Sequence, residues 1–427
     1  MPKVVVIGGG WAGTAAALSA KKAGADVVLL ERTDMLLGTG LVGGIMRNNG
    51  RFTATEEMIA MGGGELFQVT DSVARHKNIE FPGHKHATLY DVALVEPAVK
   101  KVLIDAGVEV YTESRVKDVV GEGNKILAVI TEDDRKFEGD VFVECTGTAG
   151  PQSNCTKYGN GCAMCVYRCP SYGPRVSIAA KMGVKEMMAK KADGSYGAMS
   201  GSCKLFKESL SQEIVDKLNS TGVAVIPVPE HSKEGSDILT KKACQQYALK
   251  EYVDNVILLD TGHAKLMSPF FPLEDLRQIP GFENARYEDP YAGNLGNSIR
   301  YLALSPRDNH LKTEGLENLF CAGEKAGPLV GHTEAICTGT LAGANAVRWA
   351  VGKELVQIPT ELAVGDAIAY VKEQMKTEEG ISKKYTFSGS VYFERMKELG
   401  LYSTDVNAIK ERVEKAGMTD VFNQKVV

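Results

Sequence analysis

An α/β fold follows from the 427-residue sequence. A parallel-sheet domain is expected at 1–150 and 315–358, an inserted α+β domain at 151–314, and a small helical segment at 359–427. Three observations predict it. The first thirty residues read strand, turn, helix, strand. The chain returns to apolar strands before residue 147 and again at 319–322, where a helix of small residues follows. Between those returns, "LSQEIVDKLNSTGVAVIPVPE" and "CQQYALKEYVDNVILLDTG" pair helical spacing with apolar strands.

The opening stretch is "KVVVIGGGWAGTAAALSAKKAGADVVLLER". Residues 3–7 form the apolar run of a buried parallel strand. Gly8, Gly10 and Gly13 spell G-x-G-x-x-G. Ala15, Ala16, Ala17 and Ala20 fill a helix that Gly24 ends, and "DVVLL" is a second strand closed by Glu31. With a strand before, a helix after and an acid at this distance, the pattern is the Rossmann dinucleotide fingerprint. Gly8 makes the tight turn, Gly10 lets the backbone approach a pyrophosphate, and Gly13 lets the helix pack on the strand. Free N–H groups and the positive dipole end of the helix face the phosphates. Glu31 accepts hydrogen bonds from ribose hydroxyls and disfavours a 2′-phosphate.

The later returns of the chain extend this pattern. After Glu31 comes "RTDMLLGTGLVGGIMRNNG"; residues 90–105 have helical spacing; two strands follow, "GVEVYTESRVKDVV" and "KILAVITEDDRKFEGDVFVECTG". Up to Pro151 the chain resembles the N-terminal part of the glutathione-reductase-type FAD oxidoreductases. That resemblance implies FAD, held by Gly8, Gly10, Ala12, Gly13, Glu31 and Arg32. It runs the glycine-rich stretch with Gly40 and Leu41 along the flavin. It makes Thr146-Gly147, with Val116, a second flavin motif near the adenine half. The segment "GLENLFCAGEKAGPLVGHTEAICTGTLAGANAVRWAVGKEL" (315–355) resembles the third flavin motif, with contacts from Gly323, Glu324, Gly331 and Thr333. Its helix carries Gly339, Ala342, Gly343 and Ala346 for close packing. Its wording resembles the glucose-inhibited-division-protein-A family and the related folate- and FAD-dependent tRNA uracil-5-methyltransferase. Glu334, Gly339, Gly343 and Asn345 match their pattern, while Glu324 stands where the family usually has glutamine. The resemblance implies reduced flavin and methylene-tetrahydrofolate acting on a tRNA uridine.

Four of the nine cysteines crowd into "NCTKYGNGCAMCVYRCPSYGPR" (154–175). Cys155, Cys162, Cys165 and Cys169 have the spacing C-x6-C-x2-C-x3-C-P. The last part resembles the end of a bacterial ferredoxin run, which predicts a [4Fe–4S] cluster with these four as ligands. Cys145 is a rival fourth ligand. Zinc, a redox disulfide or nucleophile within "CAMC", and four unrelated thiols are the alternatives. A cluster beside a flavin would couple two-electron to one-electron chemistry.

The N-terminus carries no secretory signal, and no apolar run is long enough to span a bilayer, so a cytoplasmic enzyme with no membrane partner is expected. The formal net charge of −5 argues against nucleic acid as a partner, since polyanion binding depends on Lys and Arg. The expected function is an FAD-dependent oxidoreductase passing electrons between flavin, an iron–sulfur cluster and a small molecule or redox protein. The alternative is the folate- and FAD-dependent tRNA-uridine enzyme using cysteine chemistry. A homo-oligomer is expected. His332 is the candidate proton donor near the flavin, Arg175 in "YGPR" the candidate anion clamp, and His84 and His86 candidate pocket residues.

Overall fold

The computed structural model describes residues 1–147, 172–190, 194, 198–199, 203–229, 249–267, 271–288, 299–300 and 302–427. Cys155, Cys162, Cys165 and Cys169, and with them the iron–sulfur and zinc readings, lie outside the described residues.

Five parallel strands form the central sheet: β1 (Lys3–Ile7), β2 (Asp26–Leu30), β3 (Glu109–Tyr111), β4 (Val141–Glu144) and β5 (Leu319–Cys321). Their order is β5-β4-β1-β2-β3. Alternation along each strand sends side chains to opposite faces. Val4, Val6, Val27, Leu29, Val141 and Val143 pack among helices α1 (Trp11–Lys22), α2 (Gly50–Ala60), α3 (Val95–Asp105) and α4 (His332–Ala350). Val5, Ile7, Val28, Leu30 and Phe142 pack beneath an antiparallel meander, Val116–Glu122, Lys125–Thr131 and Lys136–Glu138. Both faces are therefore covered, which is why these strands read as unbroken apolar runs. Each such fully buried side chain contributes about 1.5–3 kcal/mol.

The sequence predicts two strands between Gly107 and Gly147, and the structure forms five. "GVEVYTESRVKDVV" divides because Glu113 takes a left-handed conformation (φ 52°) after β3. The chain there leaves the parallel sheet for the meander.

The closest helix contact is α1 against α4. A Cβ at Gly339 would lie 2.1 Å from the Ala12 carbonyl oxygen, and one at Gly343 would lie 2.2 Å from that of Ala16. The hydroxyl of Ser19 donates to the Thr340 carbonyl at 2.8 Å in the same seam.

A separate antiparallel sheet joins Cys203–Leu205, Ala264–Leu266, Asn255–Asp260 and Val223–Pro227. The helix Gln212–Thr221 covers it, begun by Ser211, whose hydroxyl accepts from the Ile214 N–H, and ended by Gly222 at φ 79°. A third sheet pairs His84–Tyr90 with Ile45–Met46 and Ala74–Phe81. Phe81, Ala87 and Leu89 pack on Ile257, Leu259 and Met267, so the second and third sheets share a core. Helices α5 (Ala363–Gln374) and α6 (Val406–Lys415) belong to the helical C-terminal part. This part is woven into the first core. The Phe422 N–H donates to the Met61 carbonyl at 2.9 Å and the Val426 N–H to the Ala23 carbonyl at 2.8 Å. No described helix is long and apolar enough to cross a membrane.

Two buried side chains tie stability to pH in opposite senses. His84 stacks on Phe81 and meets Asn48 through Nδ1 at 2.8 Å. Burial, helped by the Arg51 charge, pushes it down to about 3. Its stability contribution is present above its unfolded value of about 6.5 and is lost as pH falls toward the folded value. Glu57 accepts from the N–H groups of Ala363 and Val364 at 2.9 and 3.0 Å, capping α5. Burial raises its carboxyl to about 7. Its contribution is fully present below about pH 4.5 and is lost as pH rises through the folded value. Between about pH 6.5 and 5 the two changes run in opposite senses, each on the order of 1–2 kcal/mol. On acidification over that window, His84→Gln should therefore gain stability relative to the parent and Glu57→Gln should lose it, each by roughly 1–2 kcal/mol. Urea midpoints at the two pH values check this; parallel shifts in all three proteins would contradict it.

Candidate functional site

A cleft opens at the C-terminal ends of the parallel strands. Gly8 and Gly10 line it after β1, Glu31 and Arg32 after β2, Cys145, Thr146 and Gly147 after β4, and Ala322, Gly323 and Glu324 after β5. Open α/β sheets bind ligands at this edge. The N-termini of α1 and α4 both reach the cleft, through Trp11 and Ala12 and through Gly331, His332 and Ala335. Their N-cap residues, Gly10 and Gly331, supply no side-chain cap. Two first turns of backbone N–H groups, each at a positive dipole end, therefore face one space.

The glycines divide into two kinds. Gly8 has φ 99°, and a Cβ there would lie 2.4 Å from the Cys145 carbonyl oxygen. A Cβ at Gly13 would lie 1.7 Å from the Gly8 carbonyl oxygen. The protein's own backbone demands both. Gly10 differs: its φ of −68° suits any residue, and a Cβ there would meet nothing within 4 Å. Its missing side chain leaves open space at the start of α1, where a phosphate is best received.

Glu31 is buried at one end of this space. One carboxylate oxygen accepts from the Gly9 N–H at 2.7 Å and the other from the Thr33 N–H at 2.8 Å. The Thr33 hydroxyl donates to the second oxygen as well, at 3.0 Å, and a carboxylate has acceptor capacity beyond these three bonds. Arg32 donates to the Gly173 carbonyl at 2.7 Å, and Arg115 to the Pro174 carbonyl at 3.0 Å. These bonds bring Arg175 and Val176 onto the cleft wall, with Arg175 reaching the Thr146 carbonyl at 3.5 Å. Beneath the strand ends lies a buried ion cluster. Lys325 pairs with Glu144 at 3.3 Å and with Glu186, and donates to Ser177 at 2.7 Å. Glu144 in turn accepts from the Ala179 N–H at 3.0 Å, which anchors the chain that follows Val176. Leu37, Gly38 and Thr39 also line the cleft, with Trp11 and His332.

Of the residues expected from the sequence, Gly8, Gly10, Ala12, Glu31, Arg32, Val116, Thr146, Gly147, Gly323, Glu324, Gly331, His332 and Arg175 line this one cleft. Gly13 sits behind it in the helix–strand contact. Gly40 lies against the Trp11 ring, Leu41 is buried in the core, and the Thr333 hydroxyl faces the Met46 sulfur at 3.7 Å. His84 and His86 do not line this cleft: His84 stacks on Phe81, and His86 meets Asn78 and Phe52. Sequence reasoning missed Trp11, Ser114 and Arg115 in the lining and Tyr90 behind it. Trp11 stood inside the fingerprint, at its variable position, and was legible only as a spacer. Cys145, Cys203, Cys321 and Cys337 are buried free thiols. Among the described residues no group of three or more His, Cys, Asp or Glu is arranged to hold a metal ion.

The family model described as glucose inhibited division protein A matches residues 3–254 and 261–354, and the chain belongs to that family. Two crystal forms of Aquifex aeolicus GidA are similar in structure. Form II aligns over 97% of this chain and 76% of that chain at 17% identity, with a TM-score of 0.65. Form I aligns over 97% and 78% at 16% identity, with a TM-score of 0.62. At such identity the likeness establishes a shared fold.

The two kinds of glycine predict two phenotypes. Gly10→Ala should keep the unfolding midpoint of the parent and lose dinucleotide binding. Gly13→Ala should cost about 1–3 kcal/mol of stability through overpacking against backbone. Urea unfolding alongside ligand titration separates them, and equal effects in both assays would refute the division.

Proposed function

We propose that this member of the glucose-inhibited-division-protein-A family is an FAD-dependent enzyme that modifies a uridine of tRNA with a folate-borne one-carbon unit. The observation that carries the cofactor is Gly10. It is a glycine that the protein's own packing does not require, set at an uncapped helix N-terminus that faces a second one. An elongated dianionic dinucleotide matches that arrangement. In this reading the N–H groups at the start of α1 hold the pyrophosphate, and Glu31 receives the ribose hydroxyls. The first turn of α4 meets the far end of the cofactor. Bound there, FAD would supply the hydride and electron chemistry. His332 handles a proton at that end of the cleft. Arg175, beside Thr146, binds a negatively charged group.

Family membership favours uridine modification over electron transfer through an iron–sulfur cluster. The matched residues include the nucleotide fold and most of the chain between its halves, 3–254 and 261–354. In this reading Cys165 and Cys169 return as candidate nucleophiles toward a pyrimidine. The formal charge of −5 means that a tRNA partner must be met by local basic surface.

Heat-released flavin from purified protein should be FAD, and Glu31→Ala should lower the flavin retained after dialysis while the chain stays folded. Release of a nicotinamide dinucleotide with no flavin would overturn the cofactor. For the reaction, protein, NADH, labelled methylene-tetrahydrofolate and an unmodified tRNA transcript should give label in the RNA. No label, together with stoichiometric iron and sulfide, would instead support the electron-transfer reading.

A further inference from the structure

We propose that Arg32 and Arg115 are positioning residues that latch a strap, residues 173–176, along the cleft wall beside Glu31, and that release of this strap admits and discharges the dinucleotide. The inference rests on the reading of the cleft as a dinucleotide site; the latch itself concerns the chain alone.

The strap is anchored at one end and latched at the other. Ser177 begins the short helix Ile178–Lys181, its hydroxyl accepting from the Ala180 N–H at 3.1 Å. The N–H groups of Ile178 and Ala179 donate to Glu144 at 3.2 and 3.0 Å, and both residues are buried. Residues 173–176, just before this anchor, have no regular structure and are half-buried throughout. Among the described residues, Val176 joins none of the buried apolar clusters. Arg32 donates to the Gly173 carbonyl at 2.7 Å, and Arg115 to the Pro174 carbonyl at 3.0 Å. Arg115 is steadied from its other side by an ion pair with Glu132. Gly173 fits the latch closely: its φ is 76°, and a Cβ there would lie 2.7 Å from Arg115 Nε. A segment held by polar bonds with little apolar packing opens locally at low cost.

The path of the strap gives the opening its purpose. It starts at Arg32, after β2, and its anchor is Glu144, the last residue of β4. The sheet order places β1 between these two strands. The strap therefore passes the end of β1, where Gly8 and Gly10 line the cleft, and Arg175 and Val176 line it too. Glu31, Ser114 and Val116, also on this wall, are only 7%, 1% and 5% exposed. A ligand that reaches Glu31 thus enters a closed part of the cleft. The strand ends and α1 and α4 belong to the main cores and cannot yield without disturbing them. The strap can.

The test reads cleavage and binding on the full chain. The Arg175–Val176 bond is a trypsin site within the strap, and a new N-terminus at Val176, found by mass spectrometry in brief digests, reports its opening. Arg115→Met removes the latch and keeps the stem. Without flavin it should be cut at this bond about tenfold faster than the parent, as loss of one charge-assisted hydrogen bond predicts. Saturating FAD should slow the cut in both proteins. Flavin fluorescence on stripped protein should show FAD associating about tenfold faster with Arg115→Met, and release from the loaded protein should speed up as well. A residue that only touched the cofactor or only supported the fold would speed release and leave association unchanged or slower. Gly173→Ala, which sets a Cβ against the guanidinium, should act in the same direction as Arg115→Met and carries the same readings if that variant fails to fold. Unchanged cleavage at Arg175 in a folded variant would overturn the latch. Faster cleavage with FAD association no faster than in the parent would overturn the gate. A parent that binds no FAD would refute the cofactor reading instead, and the cleavage of the flavin-free protein still decides the latch.

Discussion

Two helices meet with almost no side chain between them, and the site depends on that contact. Gly339 and Gly343 are four residues apart on α4, and Ala12 and Ala16 are four apart on α1. Each glycine sits over a backbone carbonyl of the opposite helix. Small residues spaced by four form one ridge on each helix, so the axes approach until backbone meets backbone. A larger residue at either glycine would push α4 outward. That displacement would move the first turn of α4, where Gly331, His332 and Ala335 line the cleft. Packing deep in the core is thereby coupled to the geometry of ligand groups at the surface.

The far side of α4 is fixed by charge. Glu334, fully buried in its first turn, accepts from Arg51 Nε at 3.1 Å, from the Thr386 hydroxyl at 2.6 Å and from the Phe387 N–H at 2.8 Å. An acid in a first turn suits the helix dipole. Here it also binds the helical C-terminal part and α2 to the cleft. Gly331 is caught in this cluster, since a Cβ there would lie 2.0 Å from the Glu334 carboxylate. Its φ of 146° adds a second reason for glycine. The seam with α1 sets how deep α4 lies, and the Glu334 cluster sets where it starts.

How much of this was legible follows from how local each feature is. The β1–α1–β2 unit was readable because all its demands fall within thirty residues, down to the turn at Gly8 and the close packing at Gly13. The return of β4 and β5 was readable from short apolar runs ending in glycine. Tyr90 was not. It sits at the end of a strand that reads as alternating and half-polar, "HKHATLY", and its partners Gly40, Trp11 and His332 come from three distant segments. His84 and His86 misled for the same reason. Their spacing suggests one face of a strand, but that hairpin packs on the sheet at 255–267, not on the cleft. The break between β3 and the meander was missed because Glu113 is an unremarkable residue at a left-handed turn, where glycine would have signalled it.

The pair Glu324-Lys325 carries the last step. Glu324 lines the cleft wall. Lys325 turns the other way and is fully buried, sharing its charge with Glu144 and Glu186. Burying a lysine between acids gains little net stability, because desolvation offsets the attraction. What such a cluster does define is position. Glu144 ends β4, Lys325 follows β5, and Glu186 and Ser177 belong to the chain that returns after the clustered cysteines. Three segments far apart in sequence are thus brought to one point under the cleft. Loss of Lys325 would leave two carboxylates without their partner, and the strand ends that carry Thr146 and Gly323 would no longer be held in register with the segment bearing Arg175.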